Sequence, residues 1–149
     1  MIALACDHAA LGMKKEIMKL LDEMGLAYKD FGTYTEDSCA YPVFGARAAR
    51  AVASGECDRG IVICGTGIGI SIAANKVKGI RCGLCSDPLS AELTRRHNDA
   101  NMLAFGARIV GLELAKSIVR AFLETPYEGG RHQARVDMLA AIENGEEIE

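Results

Sequence analysis

Five short apolar runs, each parted from the next by a segment of helical period, leave this chain few folds to choose from. The runs cover residues 2–6, 27–31, 60–64, 80–85 and 102–105. Between the first two, Ile17, Leu20, Leu21 and Met24 recur at i, i+3, i+4 and i+7, one helix face aimed at a sheet, and Gly25 supplies a stop. Pro42 opens a second helix that passes Val52 and Ala53 and ends near Gly55. Residues 68–76 read as a third, Pro88 begins a fourth after the cap residue Asp87, and a fifth covers 112–122. A last amphipathic segment, about 131–143, precedes an acidic tail.

Strands alternating with helices at this spacing form βαβ units, and right-handed crossovers wind them into a parallel sheet. The expected α/β fold is a single-domain, doubly wound five-stranded parallel sheet, a flavodoxin/Rossmann-like three-layer sandwich over residues 1–149. Ligands in such sheets bind outside the carboxyl ends of the strands, where strand order reverses. A flavodoxin-like order sets the end of strand one, Asp7-His8, beside the end of strand three, Cys64-Gly65-Thr66-Gly67-Ile68-Gly69.

Charge and cysteine usage narrow the function. The formal net charge is -3, with Lys and Arg scattered instead of gathered in a stripe, which argues against nucleic acid as a partner. No apolar stretch is long enough for a bilayer span, and residue 1 leads directly into a strand-like run, so a cytoplasmic location is expected. The six cysteines read as reduced thiols, since four fall in or at the ends of expected strands. Cys82 and Cys85 have zinc-type spacing but no second pair and no histidines at finger spacing, and they lie along a strand where a redox pair would want a helix N-terminus.

Gly65, Gly67 and Gly69 alternate where strand three turns into helix three, letting backbone N–H groups face an anion with a helix N-terminus behind them. The third glycine comes one residue early for a dinucleotide fingerprint, and no Gly-Lys-Ser/Thr follows for a nucleotide-triphosphate loop. Cys64 stands directly ahead of those amides, where a helix N-terminus favours thiolate and makes it a base or nucleophile. Thr66 offers a hydroxyl to a substrate or a developing oxyanion. Asp7 is either a helix cap or a carboxylate for sugar hydroxyls, and His8 adds an imidazole for phosphate or proton transfer. His97-Asn98, between helix four and strand five, lies by sheet logic at the wrong end of its strand, so serving Cys64 requires a folded-over loop or a neighbouring subunit. Arg131 and Arg135, i and i+4, share a face suited to gripping phosphate, and Arg108 adds a third cation. No metal-binding cluster is evident beside these residues, which favours metal-free chemistry on a phosphorylated ligand.

These motifs resemble those of type B ribose-5-phosphate isomerases, whose framework the galactose-6-phosphate isomerase subunits share. The resemblance runs nearly end to end through Ala5-Cys6-Asp7-His8-Ala9-Ala10, Asp30-Phe31-Gly32, Tyr41-Pro42, Cys64-Gly65-Thr66-Gly67-Ile68-Gly69, Asn75-Lys76, His97-Asn98-Asp99-Ala100-Asn101, Phe105-Gly106-Ala107-Arg108 and Arg131-His132. It implies interconversion of D-ribose 5-phosphate and D-ribulose 5-phosphate through an enediolate, with no cofactor and no metal, and leaves room for six-carbon substrates such as allose 6-phosphate. Cys64 would carry the proton between C2 and C1, and His97, assisted by Asp7, would open the ring. Thr66 and the backbone of Gly65, Gly67, Ile68 and Gly69 would form the oxyanion and hydroxyl pocket. His8, Arg108, Arg131 and Arg135 would hold phosphate, while Asn98 and Tyr41 would complete the substrate contacts. The resemblance further implies a homodimer or a dimer of dimers with shared sites, the helix at 131–143 packing on a partner. Two other readings stay open on the residues alone: a flavodoxin-like module that only binds a phosphorylated metabolite, and thiol redox chemistry at Cys64 or at Cys82 and Cys85.

Overall fold

A computed structural model describes residues 1–149. In chain order the elements are β1 (Ile2–Cys6), a 3-10 turn (His8–Ala10), α1 (Leu11–Glu23), β2 (Tyr28–Asp30), α2 (Tyr41–Ala53), β3 (Arg59–Cys64) and α3 (Ile68–Asn75). Then follow β4 (Cys82–Leu84), α4 (Pro88–Asn98), β5 (Met102–Gly106), α5 (Leu112–Glu124) and α6 (Arg131–Glu143). All neighbouring strands pair in parallel, in the order β2-β1-β3-β5-β4. The doubly wound α/β sandwich expected from the apolar runs is the fold observed.

The order of the last two strands corrects the flavodoxin-like expectation, because β5 pairs with β3 and sends β4 to the edge. Composition explains the exchange. Met102–Gly106 is buried at every position, as a strand covered on both faces must be, whereas β4 is three residues long and partly exposed throughout. The edge runs also shorten from their expected lengths, to Tyr28–Asp30 and Cys82–Leu84, since each has a neighbour on one side only. The β1–β3 adjacency that the site depends on holds, with Cys6 opposite Ile63.

Alternation along the central strands fills two cores. Leu4, Cys6, Ile61, Ile63, Leu103 and Phe105 face one helix layer with Ile17 and Leu21 of α1 and Ile118 and Phe122 of α5. Ala3, Ala5, Val62, Cys64 and Ala104 face the other, with Ala48 and Ala49 of α2 and Ile70 and Ala74 of α3. The small residues on the second face let α2 and α3 sit close: a Cβ on Gly45 of α2 would lie 2.9 Å from Ile70 of α3. Cys64 thus points toward the α3 side of the sheet.

α6 is the loosest layer. It buries His132 and Val136 and leaves Met138, Leu139 and Ile142 exposed. A cavity of about 840 Å³ lies between its apolar side, α4 and the β4 edge, bounded by Ile80, Arg81, Thr94, Leu139 and Ile142, and Cys64 does not line it. No helix is long and apolar enough to cross a membrane.

Candidate active site

The turn after β3 is tightly constrained. Gly67 stands at φ +80°, and a Cβ there would lie 2.6 Å from the carbonyl carbon of Phe105, so only glycine closes this turn without displacing β5. The close approach aims the Gly67 amide at Cys64, whose Sγ accepts its hydrogen bond at 3.1 Å. A donor directed at sulfur stabilises negative charge there. Cys64 is 5 % exposed.

The loop departs from the expected anion cradle in one respect. Two of its amides are already turned inward, Gly67 onto Cys64 and Ile68 onto the Thr66 hydroxyl oxygen at 3.2 Å. The amides of Gly65, Thr66 and Gly69 have no acceptor within the chain and remain as donors. The Thr66 O–H is likewise left to donate.

Around this turn the fold gathers four more of the sequence-derived candidates. Arg108 follows β5, its amide donating to Gly65 O at 2.9 Å, and its guanidinium lies over Gly65, where a Cβ would be 3.4 Å from Nη1. The β3–β5–β4 order makes this possible by setting Gly106 opposite Cys64. The Tyr41 ring at the start of α2 covers Gly69, where a Cβ would be 2.8 Å from Cζ. Asp7 caps the 3-10 turn, its Oδ1 accepting from the Ala9 amide at 3.0 Å while its own amide donates to Ile63 O. It is therefore both the cap and a buried carboxylate beside the end of β3. His8 receives the Cys39 amide on Nδ1 at 3.2 Å, with Cys39 Sγ at 3.7 Å. That bond leaves Nε2 to carry the proton of the neutral imidazole.

Three residues that sequence reasoning passed over support this half. Lys14 lies on the buried stripe of α1 and is 1 % exposed, with Nζ donating to Asp30 Oδ1 at 2.6 Å and Thr33 O at 2.5 Å. Asp30 also accepts from the Gly32 amide, so the lysine pins the loop that runs past the end of β1. A lysine in register with Leu11, Ile17 and Leu21 was the available signal. Cys39 gave none, because it comes from an irregular loop.

The remaining candidates gather elsewhere. His97, Asn98, Arg131 and Arg135 line a cavity of about 460 Å³ together with His132, Val136 and Leu139. The His97 and His132 rings stack with centroids 4.4 Å apart and 17° between planes. α4 ends here because Asp99 takes a left-handed C-cap at φ +46° and buried Arg95 ties it down, donating to Asp99 Oδ1 at 2.8 Å and Ala100 O at 2.6 Å. Since α4 returns the chain to the start of β5, this cluster sits at the amino ends of the strands, opposite Cys64. Within one chain the candidates therefore form two half-sites.

The Cys82 and Cys85 thiols do not favour the thiolate that redox exchange needs. All six cysteines are free thiols, and burial pushes Cys85 up to about 11 and Cys82 up to about 12, so both stay protonated near neutrality.

Residues 2–139 match the Ribose/Galactose Isomerase family. The chain belongs to that family. This isomerase-family chain is 56 % identical over 142 residues to the ribose-5-phosphate isomerase B of Escherichia coli, covering 95 % of each protein. Among solved structures, the ribose-5-phosphate isomerase B of Clostridium thermocellum superposes with a TM-score of 0.95 at 51 % identity, covering 97 % of each chain. That of Mycoplasma genitalium, determined with bound ribulose-5-phosphate, superposes at 0.92 with 39 % identity, covering 96 % of this chain and 95 % of its own.

Proposed function

We propose that this chain is a cofactor-independent aldose-ketose isomerase that interconverts D-ribose 5-phosphate and D-ribulose 5-phosphate. The observation that carries the chemistry is the Cys64 thiol at the mouth of α3, hydrogen-bonded at 3.1 Å by an amide of its own loop. The likeness to ribose-5-phosphate isomerase B supports the substrate, since identity of this order spans almost the whole chain.

In this reading Cys64 as thiolate removes the C2 proton of the open-chain aldose. The electron pair moves into a C1–C2 double bond and the negative charge onto O1, where the free loop amides and the Thr66 hydroxyl receive it. The O2 proton passes to O1, and the same thiol returns its proton to C1 as the electron pair on O2 forms the C2 carbonyl, giving the ketose. Thiolate and oxyanion donors come from one turn, so the base and the charge it creates are held in fixed relation. His97, with Asp7, opens the sugar ring, and Asn98 and Tyr41 orient the chain of hydroxyls. His8, Arg108, Arg131 and Arg135 hold the phosphate. Six-carbon phosphates such as allose 6-phosphate enter the same open cleft.

Residues 1–149 act as one isomerase domain in the cytoplasm, and the working form is a homodimer or a dimer of dimers. Two half-sites at opposite ends of one sheet support this: the His97, Asn98, Arg131, Arg135 group of one subunit completes the Cys64 half of its neighbour. The exposed Met138, Leu139 and Ile142 on α6 supply apolar surface for the contact.

Exchange of the C2 proton of ribose 5-phosphate with deuterated solvent, followed by NMR with chelator present, tests the proposal. Wild type exchanges and forms ketose, while Cys64→Ala loses both by roughly 10²–10⁴-fold, the range for losing a general base. Exchange by both proteins removes Cys64 from the role of base. Exchange by neither overturns the substrate.

A further inference from the structure

His97, Glu128 and His132 converge from the end of α4, the loop before α6 and the first turn of α6, with their ligand atoms all within 4.8 Å of one another. His132 is 7 % exposed, and its Nε2 is buried without a hydrogen-bond partner. The nearest acceptor, Glu128 Oε1, stands 3.6 Å away, beyond hydrogen-bond reach. A buried ring nitrogen aimed at a carboxylate it does not bond, beneath a second imidazole, is costly to leave unsatisfied and is also a donor set for a metal ion.

We propose that His97, Glu128 and His132 form a binding site for a divalent transition-metal ion, zinc above all, and that the ion inhibits the enzyme by occupying His97. The inhibitory half rests on the isomerase reading given above; the metal site does not. Two imidazoles and one carboxylate are three protein ligands of a tetrahedral zinc, and a water completes the fourth position. Zinc-to-nitrogen distances of about 2.0–2.1 Å bring ligand atoms to roughly 3.3 Å apart, so His132 Nε2 and Glu128 Oε1, at 3.6 Å, are nearly in place and no pair need close by more than about 1.5 Å. Glu128 is exposed and followed by Gly129 and Gly130, and His97 is half-buried, so the closure needs side-chain rotation and no change in fold. Arg131 and Arg135 line the same cavity and oppose any cation. Their charge selects for ions that bind imidazole strongly, zinc and copper, over magnesium and calcium.

The test is a zinc titration of the full-length, reduced, chelator-stripped protein against a chromophoric competitor, repeated with His132→Gln and Glu128→Gln. One zinc per chain is expected, weakened at least about tenfold in each variant. The cobalt-loaded protein should lack the near-ultraviolet thiolate-to-cobalt charge-transfer band, which separates this site from the six cysteines. Because Glu128 is exposed, its variant keeps the test valid if His132→Gln fails to fold. Unchanged affinity in Glu128→Gln, or a thiolate band, overturns the site. In the activity arm, zinc should abolish wild-type turnover of ribose 5-phosphate and EDTA restore it, while Glu128→Gln turns over normally in EDTA and needs at least about tenfold more zinc for inhibition. Zinc bound as expected with turnover unaffected overturns the inhibitory role and leaves the metal site standing. Wild type inactive in EDTA overturns the isomerase reading, and the binding arm still decides the site.

Discussion

The Gly67 amide donates to Cys64 Sγ at 3.1 Å across a turn that has no room for a side chain. The thiol and the amide are three residues apart, and the carbonyl side of Phe105 walls the turn from behind. Gly67→Ala must place a Cβ 2.6 Å from that wall at φ +80°, costing roughly 2–4 kcal/mol in stability. Gly69→Ala meets instead the ring of the exposed Tyr41, which can swing aside, so it costs less than about 1 kcal/mol. Urea midpoints of the two variants check the contrast.

Two half-sites at opposite ends of the sheet predict complementation. Cys64→Ala and His97→Ala are each inactive as pure proteins. Unfolded together and refolded as a dimer, half the molecules are mixed and each has one intact site, so about a quarter of wild-type turnover returns. A site built within one chain returns none. Turnover of the refolded mixture against the separate variants is the measurement.

Lys14 is a buried charge held by Asp30 and the Thr33 carbonyl. Lys14→Met removes the cation and leaves the Thr33 carbonyl and the part-exposed Asp30 carboxylate without it, which costs up to roughly 3–5 kcal/mol by the precedent of broken buried pairs. Chemical denaturation measures the loss. The Asp30→Asn, Lys14→Met double variant should recover part of it, because the orphaned carboxylate is gone.

Burial pushes the Cys6 and Cys85 thiols up to about 11 and Cys82 up to about 12, from an ordinary 9.0. In the unfolded chain these thiols ionise near pH 9, while in the folded protein they hold their protons until pH 11–12. The unfolded state then binds fewer protons, so stability falls as pH rises through this window. The contribution is complete below pH 9 and gone above pH 12. Urea midpoints across that range should decline, and less steeply for Cys85→Ala.

Much of the architecture can be read from local pattern. Strand runs, helix faces, Asp87 before Pro88 and the stop at Gly25 depend on neighbours within a turn or two, so periodicity and cap chemistry locate them. The glycine alternation after Cys64 likewise marks an anion-facing turn, because backbone freedom is a property of the residue itself. Arg131 and Arg135 share a face by spacing alone.

What tertiary structure decided is which of these residues meet. The place of β5 inside β4 followed from which run could be covered on both faces, a comparison between strands that no single segment contains, and it is what lays Arg108 over Gly65. The Lys14 pair, the Cys39 contact with His8 and the stacking of His97 on His132 join residues 16, 31 and 35 positions apart or more, where sequence separation carries no distance. Local sequence sets the conformations each segment prefers; burial of two sheet faces at once sets which segments become neighbours, and the chemistry of the site belongs to the neighbours.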